Sequence, residues 1–303
     1  MKKKLASLLA TSLIVMTLGG CGTAKTTETT TEPEKTTEVT TEAENTTEAI
    51  TESGKTGDAV TVTVFAAASM TETLDEIAEN YKAVAPNVTL VFNYDSSGTL
   101  KTQIEEGATC DLFISAAQKQ MDQLDISADE EKNPDKLDFI DSATRINLLE
   151  NQVVLAVPAD NKAGINSYDD MVAGLKDKKI MLAMGNEDVP VGQYTKKIFD
   201  FYGLKEDELV KDGLITYGSN VKEVTTQVSE GTVDCGIIYS TDAYSAGLQT
   251  VDTATKGMCG QVIYPAAVLK NSSCAKEAQA FLDYLKTDES KAVFEKVGFT
   301  PLN

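Results

Sequence analysis

From Val60 onward the apolar residues change period again and again, from every second residue to every third or fourth and back. Val60-Thr61-Val62-Thr63-Val64-Phe65 alternates as a half-buried strand does, and Leu74, Ile77, Ala78 and Tyr81 then recur at helical spacing. Val88 to Phe92 reads as a second strand, followed by a helix carrying Leu100 and Ile104. Asp111 to Ser115, Val153 to Val157, Ile180 to Met184, Cys235 to Tyr239 and Tyr264 to Leu269 supply further strands, before closing helices around Phe281, Leu285 and Phe294. Repeated alternation of this kind predicts an α/β protein with mainly parallel sheets. In such sheets ligands gather beyond the carboxyl ends of strands, where helices begin. The functional residues are therefore expected at strand-to-helix turns.

The first 57 residues obey different rules. Residues 1–20 carry Lys2, Lys3 and Lys4 ahead of an apolar run from Leu5 to Leu18, which reads as a secretory signal peptide outside the fold. The series Leu18-Gly19-Gly20-Cys21 resembles the lipobox of bacterial lipoproteins, which implies cleavage before Cys21 and acylation of its thiol. The rest of residues 21–57 is threonine- and glutamate-rich, with eight glutamates against three lysines and no aromatic residue. Such a stretch buries too little apolar surface to offset the entropy of ordering, so a disordered tether is predicted. No later run reaches the roughly 18 consecutive apolar residues of a spanning helix. The mature chain is expected to be held by its lipid at the outer face of the cytoplasmic membrane.

The formal net charge is −20. That disfavours nucleic acid and anionic lipid surfaces as partners. It does not veto an anion in a recessed cleft, because exposed charges are screened beyond roughly 8–10 Å. The chain has no histidine, so the usual base of nucleophilic catalysis is missing and an enzyme is not expected. No cysteine pair has C-x-x-C spacing, and neither a metal nor a cofactor is expected. Besides Cys21 there are Cys110, Cys235, Cys259 and Cys274. Buried free thiols and a Cys259–Cys274 bridge both fit them.

Four helix starts concentrate hydrogen-bond donors. In Ala66-Ala67-Ala68-Ser69 the small alanines would let a ligand approach the backbone, while Ser69-Met70-Thr71-Glu72 also fits a capping box. Asp95-Ser96-Ser97-Gly98-Thr99-Leu100 has the composition of an anion nest, which Asp95 would oppose unless its side chain turns away. In Asp188-Val189-Pro190-Val191-Gly192-Gln193-Tyr194 the proline suits the first helical position, leaving the Val191 and Gly192 amides as unpaired donors. Asn220 and Glu223 have N-cap and N3 spacing, which puts the Val221 amide near a helix tip. Each start taken alone is an ordinary helix cap.

In chain order, Val64–Ser69, Ser96–Leu100, Asp111–Ala116, Asp188–Tyr194, Gly236–Tyr239, Tyr264–Val268 and Gly298–Thr300 resemble the molybdate-binding proteins of ABC transporters. The resemblance implies a two-lobed α/β fold of the type II periplasmic-binding-protein kind, with the ligand in the interlobe cleft. It implies lobe one at residues 58–153 and 263–303 and lobe two at 154–262, with crossings at Val153–Pro158 and near Tyr264-Pro265. It implies an anion held by two serine hydroxyls, two backbone amides and a tyrosine hydroxyl, falling on Ser69, Ser97, Val191, Val221 and Tyr239. Two positions depart from the pattern: Gly98, where a third serine is common, and Val191, where alanine is common. The implied partners are molybdate or tungstate, an ABC permease and its ATPase, met by a monomer. The chemistry agrees, since molybdate near neutral pH is a dianion without a proton and only accepts hydrogen bonds, so neutral donors suffice. Sulfate is a smaller pure acceptor, and phosphate keeps a proton that wants an acceptor. A binding protein for one of these on the same fold is the alternative.

Overall fold

The computed structural model describes residues 58–302. The signal peptide, Cys21 and the tether expected at 1–57 lie outside the described residues. In chain order the strands are β1 (Val60–Ala67), β2 (Val88–Asp95), β3 (Leu112–Ile114), β4 (Ile146–Asn151), β5 (Val153–Val157), β6 (Leu182–Gly185), β7 (Ile215–Gly218), β8 (Cys235–Tyr239), β9 (Gln249–Thr253), β10 (Val262–Val268) and β11 (Thr300–Pro301). They form one sheet in the order β11-β4-β10-β3-β1-β2 and another in the order β7-β6-β8-β5-β9. Helices follow most strands, as the alternating periods require, and the fold is a two-lobed α/β one.

The chain changes sheets at Gln152, between β4 and β5, and returns through residues 254–261. The segments expected to cross are instead paired strands within one sheet each. Val153 already faces Tyr239 in the second sheet, and Val262 faces Asn151 in the first.

The sheets are mixed rather than mainly parallel. β1 runs parallel to β2 and β3, and β6 to β7 and β8, whereas β10 opposes β3 and β4 and β5 opposes β8 and β9. The reason is the double crossing. β5 and β10 enter their sheets from the other lobe, at the cleft side, and so run against strands whose carboxyl ends point into the cleft.

That arrangement turns the ends of β1, β2, β6, β7 and β8 towards one cleft, each followed by a helix or short helical turn. Beneath it a line of rings joins the lobes. Tyr194 meets Tyr239 at 6.4 Å between centroids, Tyr239 meets Tyr264 at 5.8 Å, and Tyr264 meets Phe299 at 5.3 Å. Edge-to-face pairs of this kind add roughly 0.5–1.5 kcal/mol each beyond area burial. Cys110, Cys235, Cys259 and Cys274 are buried free thiols. The bridge considered between the last two is not formed, because Cys259 points at the Thr255 carbonyl of lobe two and Cys274 at the Thr61 carbonyl of lobe one.

Candidate functional site

On lobe one, β1 runs into a 3-10 turn, Ala68–Met70, before the helix Thr71–Val84 begins. The extra turn removes Ser69 from the capping position. The N-cap is Met70, without a side-chain bond, so the capping box does not form. The buried Ser69 hydroxyl lies instead 2.9 Å from the Tyr264 hydroxyl. Glu72, released from the box, accepts two bonds of 2.7 Å from Lys222 across the cleft.

β2 leads into the helix Ser97–Glu105, where Ser96 is the cap and accepts from the Thr99 amide at 3.1 Å. Ser97, fully buried, accepts from the Ala116 amide at 2.9 Å. Asp95 directs Oδ1 at the Ser96 amide, 2.7 Å away. Gly98 donates its amide to the Asp188 carbonyl of the other lobe at 3.1 Å. A Cβ there would sit 2.3 Å from that same oxygen, so the glycine lets the lobes touch backbone to backbone.

On lobe two, Pro190 opens the helix Pro190–Tyr202 behind the N-cap Val189, which makes no side-chain bond. The Val191 amide stands in the first turn, where no intrahelical acceptor exists. Asn220 caps the helix Val221–Ser229, accepting from the Glu223 amide at 3.1 Å, while the Glu223 carboxylate returns to the Ser219 amide at 2.7 Å. The first helical amide there is that of Val221, also beyond intrahelical reach. β8 ends at Tyr239, which is 1% exposed.

These elements enclose a small cavity. Ser69, Ser97, Val221 and Tyr239 line it, together with Ser96, Ala116, Val189, Pro190 and Asp95. Its volume is only about 10 Å³. Sites for drug-sized ligands run to roughly 300–1,000 Å³, so this one suits a small ion. Four of the five residues expected at the site are thus brought together. The fifth, Val191, lies just behind the wall made by Val189 and Pro190, its side chain fully buried, so any contact is through its amide. Sequence reasoning missed Ala116, although the Asp111–Ala116 segment was visible, because a wall residue offering only small size leaves no chemical signal.

The Tyr239 hydroxyl is buried and has no hydrogen-bond partner among the described residues. Burial first, then Tyr264, Tyr194 and Asp242 nearby, lifts it well above the ordinary tyrosine range. It is a neutral donor facing the cavity. No lysine or arginine lines that space. The cations lie outside it, where Lys119, Lys196 and Lys197 border an adjoining recess of about 490 Å³ with Ala117 and Tyr194. A larger groove of about 880 Å³ runs along β2 and the helix Thr71–Val84, but Asp75, Glu76 and Glu79 line it and would repel an anion.

Asp242, wholly buried three residues after Tyr239, faces Lys222 at 3.3 Å. Burial pushes its carboxyl up to about 6, against the pull of Lys222. A carboxyl whose folded pKa exceeds its unfolded value of about 3.9 contributes stability that is full below the unfolded value and gone above the folded one. The wild-type protein is therefore expected to gain stability as pH falls from about 7 to 4, by roughly 2–3 kcal/mol from this group. Asp242→Asn should flatten that window, read as Tm against pH. An unchanged profile would mean the carboxyl titrates as an exposed one.

A model of the bacterial extracellular solute-binding proteins matches residues 62–300. The chain belongs to this family. It is a solute-binding protein rather than an enzyme. YvgL of Bacillus subtilis, provisionally named an ABC transporter substrate-binding lipoprotein, is 36% identical over 241 residues, 79% of this chain and 86% of that one. The molybdate-binding protein ModA of Haemophilus influenzae is 35% identical over 245 residues, 79% of this chain and 89% of ModA. The periplasmic molybdate-binding protein of Azotobacter vinelandii superposes with a TM-score of 0.66 at 20% identity, over 80% of this chain and 100% of that one, and so shares the fold. The two lobes of this solute-binding protein are those of the type II periplasmic-binding fold.

Proposed function

We propose that this solute-binding protein captures a fully deprotonated tetrahedral oxyanion, molybdate or tungstate, between its lobes and delivers it to an ABC permease and its ATPase. The observation that carries the reading is the Tyr239 hydroxyl, a buried donor with no hydrogen-bond partner among the described residues, in a cavity it shares with Ser69, Ser96, Ser97 and the tip of the Val221 helix. Ser69 and Ser97 would donate from lobe one; Val191 and Val221, through their amides, and Tyr239 from lobe two. A dianion that accepts from both lobes draws them together, and the Gly98–Asp188 and Lys222–Glu72 contacts join the same two lobes beside it. The likeness to ModA at 35% identity supports the choice of anion. Neutral donors at helix N-termini bind such a charge without a cation.

Lipid attachment through Cys21, at the outer face of the cytoplasmic membrane, is the reading of the N-terminus, and the provisional lipoprotein name of the Bacillus relative supports it. The protein would act as a monomer.

One observation favours a second reading, hydrogen phosphate. Asp95 lines the cavity, and a carboxylate is what a proton-bearing anion seeks. Isothermal titration with molybdate, tungstate, sulfate and phosphate separates them. The expected result is one-to-one binding of the first two, with sulfate at least about 100-fold weaker and phosphate weaker still. Phosphate or sulfate as the tightest ligand would overturn the assignment while leaving the transport role.

A further inference from the structure

We infer that Asn151 and Tyr264 are positioning residues for Ser69, as the Ala116 amide is for Ser97, so that both serines turn hydrogens rather than lone pairs towards the cleft. The inference rests on the oxyanion reading and names the device by which that site would reject an anion that keeps a proton.

It begins with a main-chain N–H, which can only donate. The Gln152 amide donates to Asn151 Oδ1 at 2.8 Å, and the Ser240 hydroxyl donates to the same oxygen at 3.0 Å. The side-chain amide of Asn151 is thereby fixed in direction. Its Nδ2, a donor only, faces Thr241 Oγ1 at 3.0 Å and Tyr264 Oη at 3.2 Å. Tyr264 Oη accepts from Asn151, and the acceptor within hydrogen-bond distance of its own hydrogen, among the described residues, is Ser69 Oγ at 2.9 Å. Burial holds Tyr264 well above the ordinary tyrosine range, so that hydrogen is present. Ser69 in turn accepts, and its hydrogen is free for the cavity. Ser97 reaches the same state in one step, because the Ala116 N–H donates to its oxygen at 2.9 Å. All four side chains are buried, so water does not compete for these positions.

An anion whose oxygens all accept can bond to both serines. One that carries a proton needs an acceptor, and each serine, with one lone pair taken and its hydrogen turned to the cleft, is the poorer partner for it. Asp95 remains, with Oδ1 committed to the Ser96 amide. The relay also spans the cleft, since Asn151, Tyr264 and Ser69 belong to lobe one while Ser240 and Thr241 follow β8 in lobe two.

The test compares molybdate with inorganic phosphate at about pH 8, where both are dianions and differ in the proton. Tyr264→Phe frees Ser69 to rotate. Asn151→Asp reverses the relay, because a carboxylate accepts from Tyr264, which then accepts from Ser69. The added negative charge weakens both dianions alike, so the ratio of their affinities isolates the proton. That ratio is expected to fall at least about 10-fold in Asn151→Asp and roughly 3- to 10-fold in Tyr264→Phe. Unliganded melting temperatures establish which variants fold, and either one that folds decides the matter. A ratio unchanged from wild type overturns the relay while the oxyanion reading stands. A wild-type protein that ignores molybdate overturns both.

Discussion

Tyr239→Phe is expected to weaken oxyanion binding roughly 10- to 150-fold while leaving the unliganded protein at least as stable as wild type. The two halves of this result have one cause. In the free protein the hydroxyl is buried without a partner, so deleting it removes an unmet desolvation cost. The ring contacts to Tyr194 and Tyr264 remain. With a dianion bound, the same hydroxyl donates to charge, an interaction worth about 1.5–3 kcal/mol, which gives the stated loss of affinity. Titration calorimetry and thermal melts of the same two preparations check it. A variant that melts lower and binds as well as wild type would make Tyr239 a core tyrosine and nothing more.

Gly192→Ala is expected to damage stability and binding together. A Cβ at this position would lie 2.3 Å from both the Gly185 and the Asn186 carbonyl oxygens. Both obstacles are backbone, so no side chain can swing aside. The turn between β6 and the helix Pro190–Tyr202 must spread, and the Val191 amide moves with it. Overpacking of this kind costs roughly 1–3 kcal/mol, or about 2–4 °C of Tm per kcal/mol at this chain length. The affinity loss should exceed about 10-fold, because the displaced amide is one of the donors proposed for the anion. Gly203→Ala is the control. It ends the same helix at φ +65° with nothing near its Cβ position, so it should lower Tm and leave affinity alone.

Much of the fold was legible because buried strands followed by amphipathic helices leave strong periodic signals. The strands that escaped were of two kinds. β7 and β9 are edge strands, and Gln249-Thr250-Val251-Asp252-Thr253 needs no apolar alternation to pair on one side only. β4 sets Leu148 and Leu149 side by side, which hides its period. The parallel reading failed for a topological reason, since nothing local in Val153–Val157 or Val262–Val268 says that the chain arrives from another sheet.

At the site, local chemistry predicted the Asn220 cap and the proline start of the Val191 helix, but did not single out Ser96 as the cap of its own helix. It misread Ser69, because Ser-Met-Thr-Glu is a sound capping box unless a 3-10 turn intervenes. The partner that claims the Ser69 hydroxyl, Tyr264, lies 195 residues away, and Asn151 reaches the same tyrosine across 113 residues. Hydrogen bonds of that range follow from the strand order of lobe one, which gathers β1, β4 and β10 into one sheet and which no spacing rule encodes.

The most direct test of the central claim is a crystal structure with tungstate, whose tungsten atom marks its own position by anomalous scattering. One tungsten is expected between the lobes, its oxygens within hydrogen-bond distance of the Ser69, Ser97 and Tyr239 hydroxyls and the Val191 and Val221 amides. Tungstate held instead by Lys119, Lys196 and Lys197 in the adjoining recess, with the Tyr239 hydroxyl still unpartnered, would contradict it.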